Sequence, residues 1–165
     1  MVLEKLNQAE TIDLLGSIYE HSPWVAEILF SKGITSQDND VSFLAERMKG
    51  IVDTSSEEMK LNLLQAHPEL AGKLAISGNL TKDSTSEQAS AGLNQCSKEE
   101  FADFSKLNFE YTKKFGHPFI IAVRDLTRSE ILTSFKERIN NDSQKEFDTA
   151  LTEVHKIALL RLKAL

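Results

Sequence analysis

Apolar residues recur at intervals of three and four along almost the whole chain, the period of helices that each bury one face. A first amphipathic stretch runs from about Ala9 to Glu20. Ser22-Pro23 then sets an N-cap before a proline at the first helical position, and Gly33 closes that second helix. Asp40 precedes a helix over Val41 to Val52, with Phe43, Leu44, Met48 and Ile51 on one face. Ser55-x-x-Glu58 has capping-box spacing and opens Glu57 to Gln65. A short helix is expected from Pro68 to about Ile76, broken by Ser77-Gly78-Asn79. Ser84-x-x-Glu87 repeats the box spacing before a brief helix ending near Gly92. Ser97-x-x-Glu100 opens the longest middle helix, striped by Phe101, Phe104, Asn108, Tyr111 and Phe115. Thr127 begins a helix containing Ile131, Leu132 and Phe135. Asp142 or Ser143 caps the last, with Phe147, Leu151, Val154, Ala158 and Leu162 inward.

In a chain of 165 residues this pattern predicts an all-α fold, a single compact domain of about eight helices spanning residues 1–165. One segment departs from the helical period. In Phe115-Gly116-His117-Pro118-Phe119-Ile120-Ile121-Ala122-Val123-Arg124, the proline fixes its own φ and pushes His117 toward extended geometry. The apolar run behind it predicts a short, buried, extended segment near Phe119 to Val123. Its backbone N–H and C=O groups need partners, and a polar ligand can be one of them.

Composition narrows the classes. Hydrophobic content of 41% with 27% charged residues is ordinary for a globular protein. A net charge of −6 argues against nucleic acid or an anionic membrane as partner, since both require clustered cations. No apolar run approaches the roughly 20 residues of a membrane span. The opening residues lack the pattern of a secretory signal, and the final Lys-Ala-Leu is not a Ser-Lys-Leu peroxisomal address. Cys96 is the single cysteine, which excludes an internal disulfide and fits a cytoplasmic setting.

Several residues can carry chemistry. His67 stands between a helix end and Pro68. Imidazole, with an ordinary pKa of about 6.5, exchanges protons near neutrality, yet a histidine there also caps a helix C-terminus. Ser84 and Glu87 satisfy a helix start by themselves, although a helix N-terminus also receives anions. Gln88 can offer its amide to a polar heterocycle. Arg124 can clamp a carboxylate or ureido group, or pair with Asp125. Lys73, one turn beyond Glu69, reads as a solvated partner of that acid. Asn108, the polar member of an aromatic stripe, can orient the Phe119–Arg124 backbone, with Tyr111 sharing that task. The four histidines show no metal-ligand spacing, and there is no glycine-rich phosphate loop.

The order of these motifs is more specific than any one of them. They are Glu20-His21-Ser22-Pro23-Trp24-Val25-Ala26, His67-Pro68-Glu69-Leu70-Ala71-Gly72-Lys73, Leu80-Thr81-x-x-Ser84-x-x-Glu87-Gln88-x-x-Ala91-Gly92-Leu93, and Leu107-Asn108-x-x-Tyr111-x-x-Lys114-Phe115-Gly116-x-Pro118-Phe119 with the run to Arg124. Across essentially its whole length the chain resembles the 2-oxo-4-hydroxy-4-carboxy-5-ureidoimidazoline (OHCU) decarboxylase family, the last enzymes of the route from urate to allantoin. The resemblance implies an all-helical, cofactor-free carboxy-lyase, often a homodimer, that converts OHCU to (S)-allantoin; no metal is expected from the histidine and cysteine spacing. It implies that His67 is the catalytic acid/base, that Glu87 works beside it, and that Pro68, Ser84, Glu87, Gln88, Ile120, Ile121, Ala122, Val123 and Arg124 line the substrate pocket. Position 117 varies between aromatic residues and histidine in that family, so His117 is not read as catalytic. Some relatives are fused to a transthyretin-like hydrolase; 165 residues leave no length for it, so the last step alone is expected.

The chemistry suits these residue types. Loss of CO₂ leaves negative charge spread into a planar ring, and a ring carbon must then take a proton from one face. Other readings are a decarboxylase of a related ureide or hydantoin, and a catalytically silent helical interaction module.

Overall fold

The computed structural model describes residues 2–71 and 81–165. Eight α-helices and no strand occur among them: α1 (Gln8–Leu15), α2 (Trp24–Ser31), α3 (Val41–Asp53), α4 (Glu57–Gln65), α5 (Lys82–Ser90), α6 (Lys98–Phe115), α7 (Arg128–Arg138) and α8 (Ser143–Leu162). The helical class expected from the apolar period is the observed one. Residues 118–123 belong to neither helix nor strand, as the proline and the apolar run predict.

Helix starts follow side-chain chemistry closely. Asn7, Ser97 and Thr127 each form a reciprocal capping box with the glutamate three residues on. Such a cap contributes about 1 kcal/mol by satisfying N–H groups that have no intrahelical acceptor. Asp40 caps α3 and Asp142 caps α8. At the other end of α6, Gly116 takes a left-handed φ of 77° and returns its N–H to Thr112, a stop that glycine adopts without Cβ strain.

Five local expectations shift. The first helix ends at Leu15, not Glu20, because Gly16-Ser17 is a poor helical continuation and the chain leaves through turns. Ser22 does not cap α2; its hydroxyl donates to the Glu20 carbonyl. The cap of α4 is Ser56, one residue later than the box spacing indicated, because Ser55 donates instead to the Val52 carbonyl at the end of α3. Phe43 is exposed, while Leu44, Met48 and Ile51 are buried. For the helix expected from Pro68, residues 68–69 are irregular and 70–71 form a turn. Lys73, the remainder of that helix and its break at Ser77-Gly78-Asn79 lie outside the described residues.

The chain forms two compact units. One comprises Met1–Ala66 with His155–Leu165. There α1 packs on α2 and α2 on α3, burying Leu15, Val25, Leu29, Met48 and Val52. Its buried polar groups are paired: Arg161 holds Glu20 at 2.8 Å, and the Tyr19 hydroxyl meets His155 Nδ1 at 2.9 Å while Nε2 faces Asp53 at 3.0 Å.

The other unit, His67–Val154, contains every residue proposed for the site. Its core joins Leu70 and Ala71, Ala91 and Leu93, Phe104 and Tyr111 of α6, Phe119 and Val123, and Ile131 and Phe135 of α7. Phe119 stacks on Phe135 with ring centres 3.9 Å apart, and Tyr111 meets both rings edge-on. This aromatic cluster pulls residues 117–123 inward, since an irregular segment is held by side-chain burial rather than by a ladder of backbone bonds.

His117 sits in the same cluster, 1% exposed, between Tyr111, Phe115 and Phe147. Its Nδ1–H donates to the Pro118 carbonyl, and Nε2 has no hydrogen-bond partner among the described residues. Burial, the largest influence, lowers the pKa of the ring below 6.5. Between 6.5 and the lowered folded value, the unfolded chain binds a proton that the folded ring refuses. The stabilising difference is therefore complete above about pH 6.5 and is lost as pH falls through the folded value. Thermal melts from pH 8 to pH 5 should show a Tm that declines below 6.5, and His117→Phe should flatten that decline. Parallel profiles for the two proteins would assign the titration elsewhere.

Candidate active site

His67 lies two residues beyond α4, 8% exposed, at the start of the segment 67–71. The following turn is held by two amide side chains from different helices. Gln88 of α5 accepts from the Ala71 N–H at 3.1 Å and donates to the Glu69 carbonyl at 3.2 Å. Asn108 of α6 donates to the Leu70 carbonyl at 2.9 Å. These bonds fix α5, which carries Glu87 beside Gln88, against the segment that carries His67. Pro68 and Glu87 are half-buried.

Thr81, not Ser84, is the cap of α5: its hydroxyl accepts from the Ser84 N–H at 3.2 Å. The Ser84-x-x-Glu87 spacing is therefore not a capping box. Ser84 sits in the first turn with its side chain buried and its N–H already bonded. That N–H is engaged by the cap in this structure, where free N–H groups near Ser84 were expected.

Residues 120–124 form the second wall of candidates. Ile120 and Val123 are buried, Ile121 and Ala122 half-buried, and Arg124 exposed. Two side chains grip the backbone here: Arg138 donates to the Ile120 carbonyl at 2.7 Å, and Glu153 accepts from the Ala122 N–H at 2.9 Å. Neither bond uses Ile121 or the Val123 N–H. Arg138 also lies over the Phe119 ring and pairs with Glu146, whose carboxylate accepts from Tyr111 and Asn141 as well. The Glu146 charge and, above all, burial push the Tyr111 hydroxyl far above its usual value, so Tyr111 is a fixed donor. Arg124 makes no ion pair with Asp125, which adopts a left-handed φ of 66°.

Two expected roles change in consequence. Asn108 orients the turn after His67 rather than residues 119–124, and Tyr111 anchors Glu146. Gln88 has both ends of its amide on backbone, where a contact with a heterocycle was expected. The sequence does not reveal Arg138, Glu146 and Glu153, because no period relates side chains on α7 and α8 to the irregular segment they hold. Among the described residues, no group of three or more His, Cys, Asp or Glu is placed to hold a metal ion.

The family model for OHCU decarboxylase matches residues 4–163. The chain belongs to the OHCU decarboxylase family. Its relatives include the 2-oxo-4-hydroxy-4-carboxy-5-ureidoimidazoline decarboxylases of Halalkalicoccus jeotgali, 39% identical over 100% of this chain and 92% of the relative, and of Haloferax volcanii, 40% identical over 97% and 91%. A uric acid degradation bifunctional protein of Bacillus subtilis is 37% identical over 97% of this chain and 32% of its own length. A crystal structure of (S)-allantoin synthase superposes with a TM-score of 0.77 at 36% identity, covering 98% of this chain and 52% of that one. The OHCU decarboxylase family is one of carboxy-lyases, and the motifs quoted from this sequence fall within the matched span. No helix among the described residues is long and apolar enough to cross a membrane.

Proposed function

We propose that this protein, folded as one OHCU decarboxylase domain over 1–165, decarboxylates OHCU to (S)-allantoin without a cofactor, with His67 and Glu87 as its catalytic pair. The observation that carries the reading is the bonding of Gln88 to Glu69 and Ala71, which secures the helix bearing Glu87 to the turn that follows His67. Homology over nearly the whole chain supplies the substrate class.

The substrate bears a hydroxyl and a carboxylate on C4 and the ureido group on C5. Breaking the C4–carboxylate bond releases CO₂, and its electron pair flows toward C5 and the ring nitrogen, which takes up a proton. The C4 hydroxyl then gives up its proton to become a carbonyl, and C5 accepts one on a single face, which sets the (S) configuration. His67 at the hydroxyl and carboxylate end moves these protons, general acid–base help typically worth about 10²–10⁴-fold. Glu87 beside the leaving carboxylate turns it out of the ring plane by like-charge repulsion.

Pro68 and Ser84 shape the pocket, and Gln88 borders it through the turn it holds. The backbone of Ile120, Ile121, Ala122 and Val123 faces the alternating donors and acceptors of the ureide, and Arg124 engages its carbonyl oxygens. The family resemblance further supports a homodimer, while the net charge of −6 and the single cysteine support a cytoplasmic setting with neither nucleic acid nor membrane as partner.

Uncatalysed OHCU decay gives racemic allantoin, so optical activity isolates the enzyme's contribution. Circular dichroism on freshly generated OHCU should register (S)-allantoin with the purified protein and lose that signal with Glu87→Ala. Racemic product from the wild-type chain at the spontaneous rate would rule out the assignment.

A further inference from the structure

We propose that Asn108 is a positioning residue for His67, acting with Gln88 through the turn at Glu69–Ala71; this rests on the catalytic reading of His67 given above. Three successive residues of that turn have a backbone group held by an amide side chain: the Glu69 carbonyl and Ala71 N–H by Gln88, and the Leu70 carbonyl by Asn108. The two amides come from separate helices, α5 and α6, so the turn is fixed from two directions. It needs holding, because Ala71 adopts φ 48°, a left-handed conformation that L side chains adopt rarely.

The clamp lies close enough to His67 to act on it. Only Pro68 separates His67 from Glu69, and the proline ring fixes its own φ while restricting the residue before it. A rotation of the turn is therefore passed back to His67 with little slack. Loss of the hold at Leu70 re-aims the imidazole.

Asn108 itself argues for this task over packing. It is 3% exposed on the apolar stripe of α6, its Nδ2 serves Leu70, and its Oδ1 has no hydrogen-bond partner among the described residues. A leucine would fill the same volume without burying an unpartnered amide oxygen, which is costly. The bond to the turn is what the amide adds.

The test is Asn108→Leu in the full-length protein, with kinetics scaled to the folded fraction. A misplacement near 1 Å costs on the order of 10²-fold in rate, so kcat should fall tenfold to a hundredfold while KM stays within about twofold. The His67 ring-proton resonance, identified by its absence in His67→Asn, should shift, whereas the His155 resonance should not. If Asn108→Leu does not fold, Asn108→Ala, which is smaller and has no donor for the Leu70 carbonyl, is measured the same way. Unchanged kcat per folded molecule together with an unmoved His67 resonance overturns the positioning role. Failure of the catalytic reading is separable, because His67→Asn would then retain wild-type turnover whatever Asn108 does.

Discussion

His67→Asn should abolish production of optically active allantoin while leaving the helical far-ultraviolet spectrum intact. Asparagine approximates the reach of an imidazole nitrogen but cannot exchange a proton near neutral pH. The expected loss in kcat is about 10²–10⁴-fold, the range general acid–base groups usually supply. Folding should survive because residues 69–71 are held by Gln88 and Asn108 independently of the side chain at 67. The discriminating measurement is stopped-flow circular dichroism with excess OHCU, where binding is saturated and only chemistry and release remain. Turnover equal to wild type would remove His67 from the mechanism and leave Glu87 as the sole proton-handling candidate.

The parts of this molecule that could be read from sequence are those governed by local rules. Ser97 with Glu100 and Thr127 with Glu130 are contacts within one turn, so spacing alone locates them. The stripe of Phe101, Phe104, Asn108, Tyr111 and Phe115 is equally local; its middle three residues are buried and Phe101 and Phe115 are half-buried. Errors begin where two neighbouring residues offer the same chemistry. Ser55 and Ser56 can both cap α4, and the choice depends on whether Val52 already claims one hydroxyl. Thr81 and Ser84 pose the same ambiguity three residues apart, and the wrong choice puts Ser84 at a helix start it does not occupy.

What each candidate side chain holds was not legible in the sequence. Sequence shows the Gln88 amide near a helix start, not the two backbone groups it reaches 17 and 19 residues earlier. The bond from Asn108 to Leu70 spans 38 residues, a separation at which no period carries information. The segment from Phe119 to Val123 was recognisable as non-helical from its proline and apolar run, and Phe119, Ile120 and Val123 are buried while Ile121 and Ala122 are half-buried. What holds it was not, since Arg138 and Glu153 reach it from helices that follow in the chain.

The largest effect on stability should come from Glu146→Ala. Glu146 is fully buried and accepts from Arg138, Tyr111 and Asn141, so truncation leaves three donors without their acceptor, one of them a guanidinium only 11% exposed. Breaking a buried pair by removing one partner costs about 3–5 kcal/mol, mostly because the remaining charge is uncompensated. For a chain of this size that corresponds to a Tm lower by roughly 10 °C, readable by calorimetry. Replacing both partners, Arg138→Met with Glu146→Leu, should restore much of that stability, since no buried charge is then orphaned. It should not restore turnover, because the Ile120 carbonyl still lacks the Arg138 donor that fixes the wall proposed to face the ureide. A double variant that regained both stability and rate would show that this network supports folding alone, and a Glu146→Ala drop below about 2 °C would show that it does not even do that.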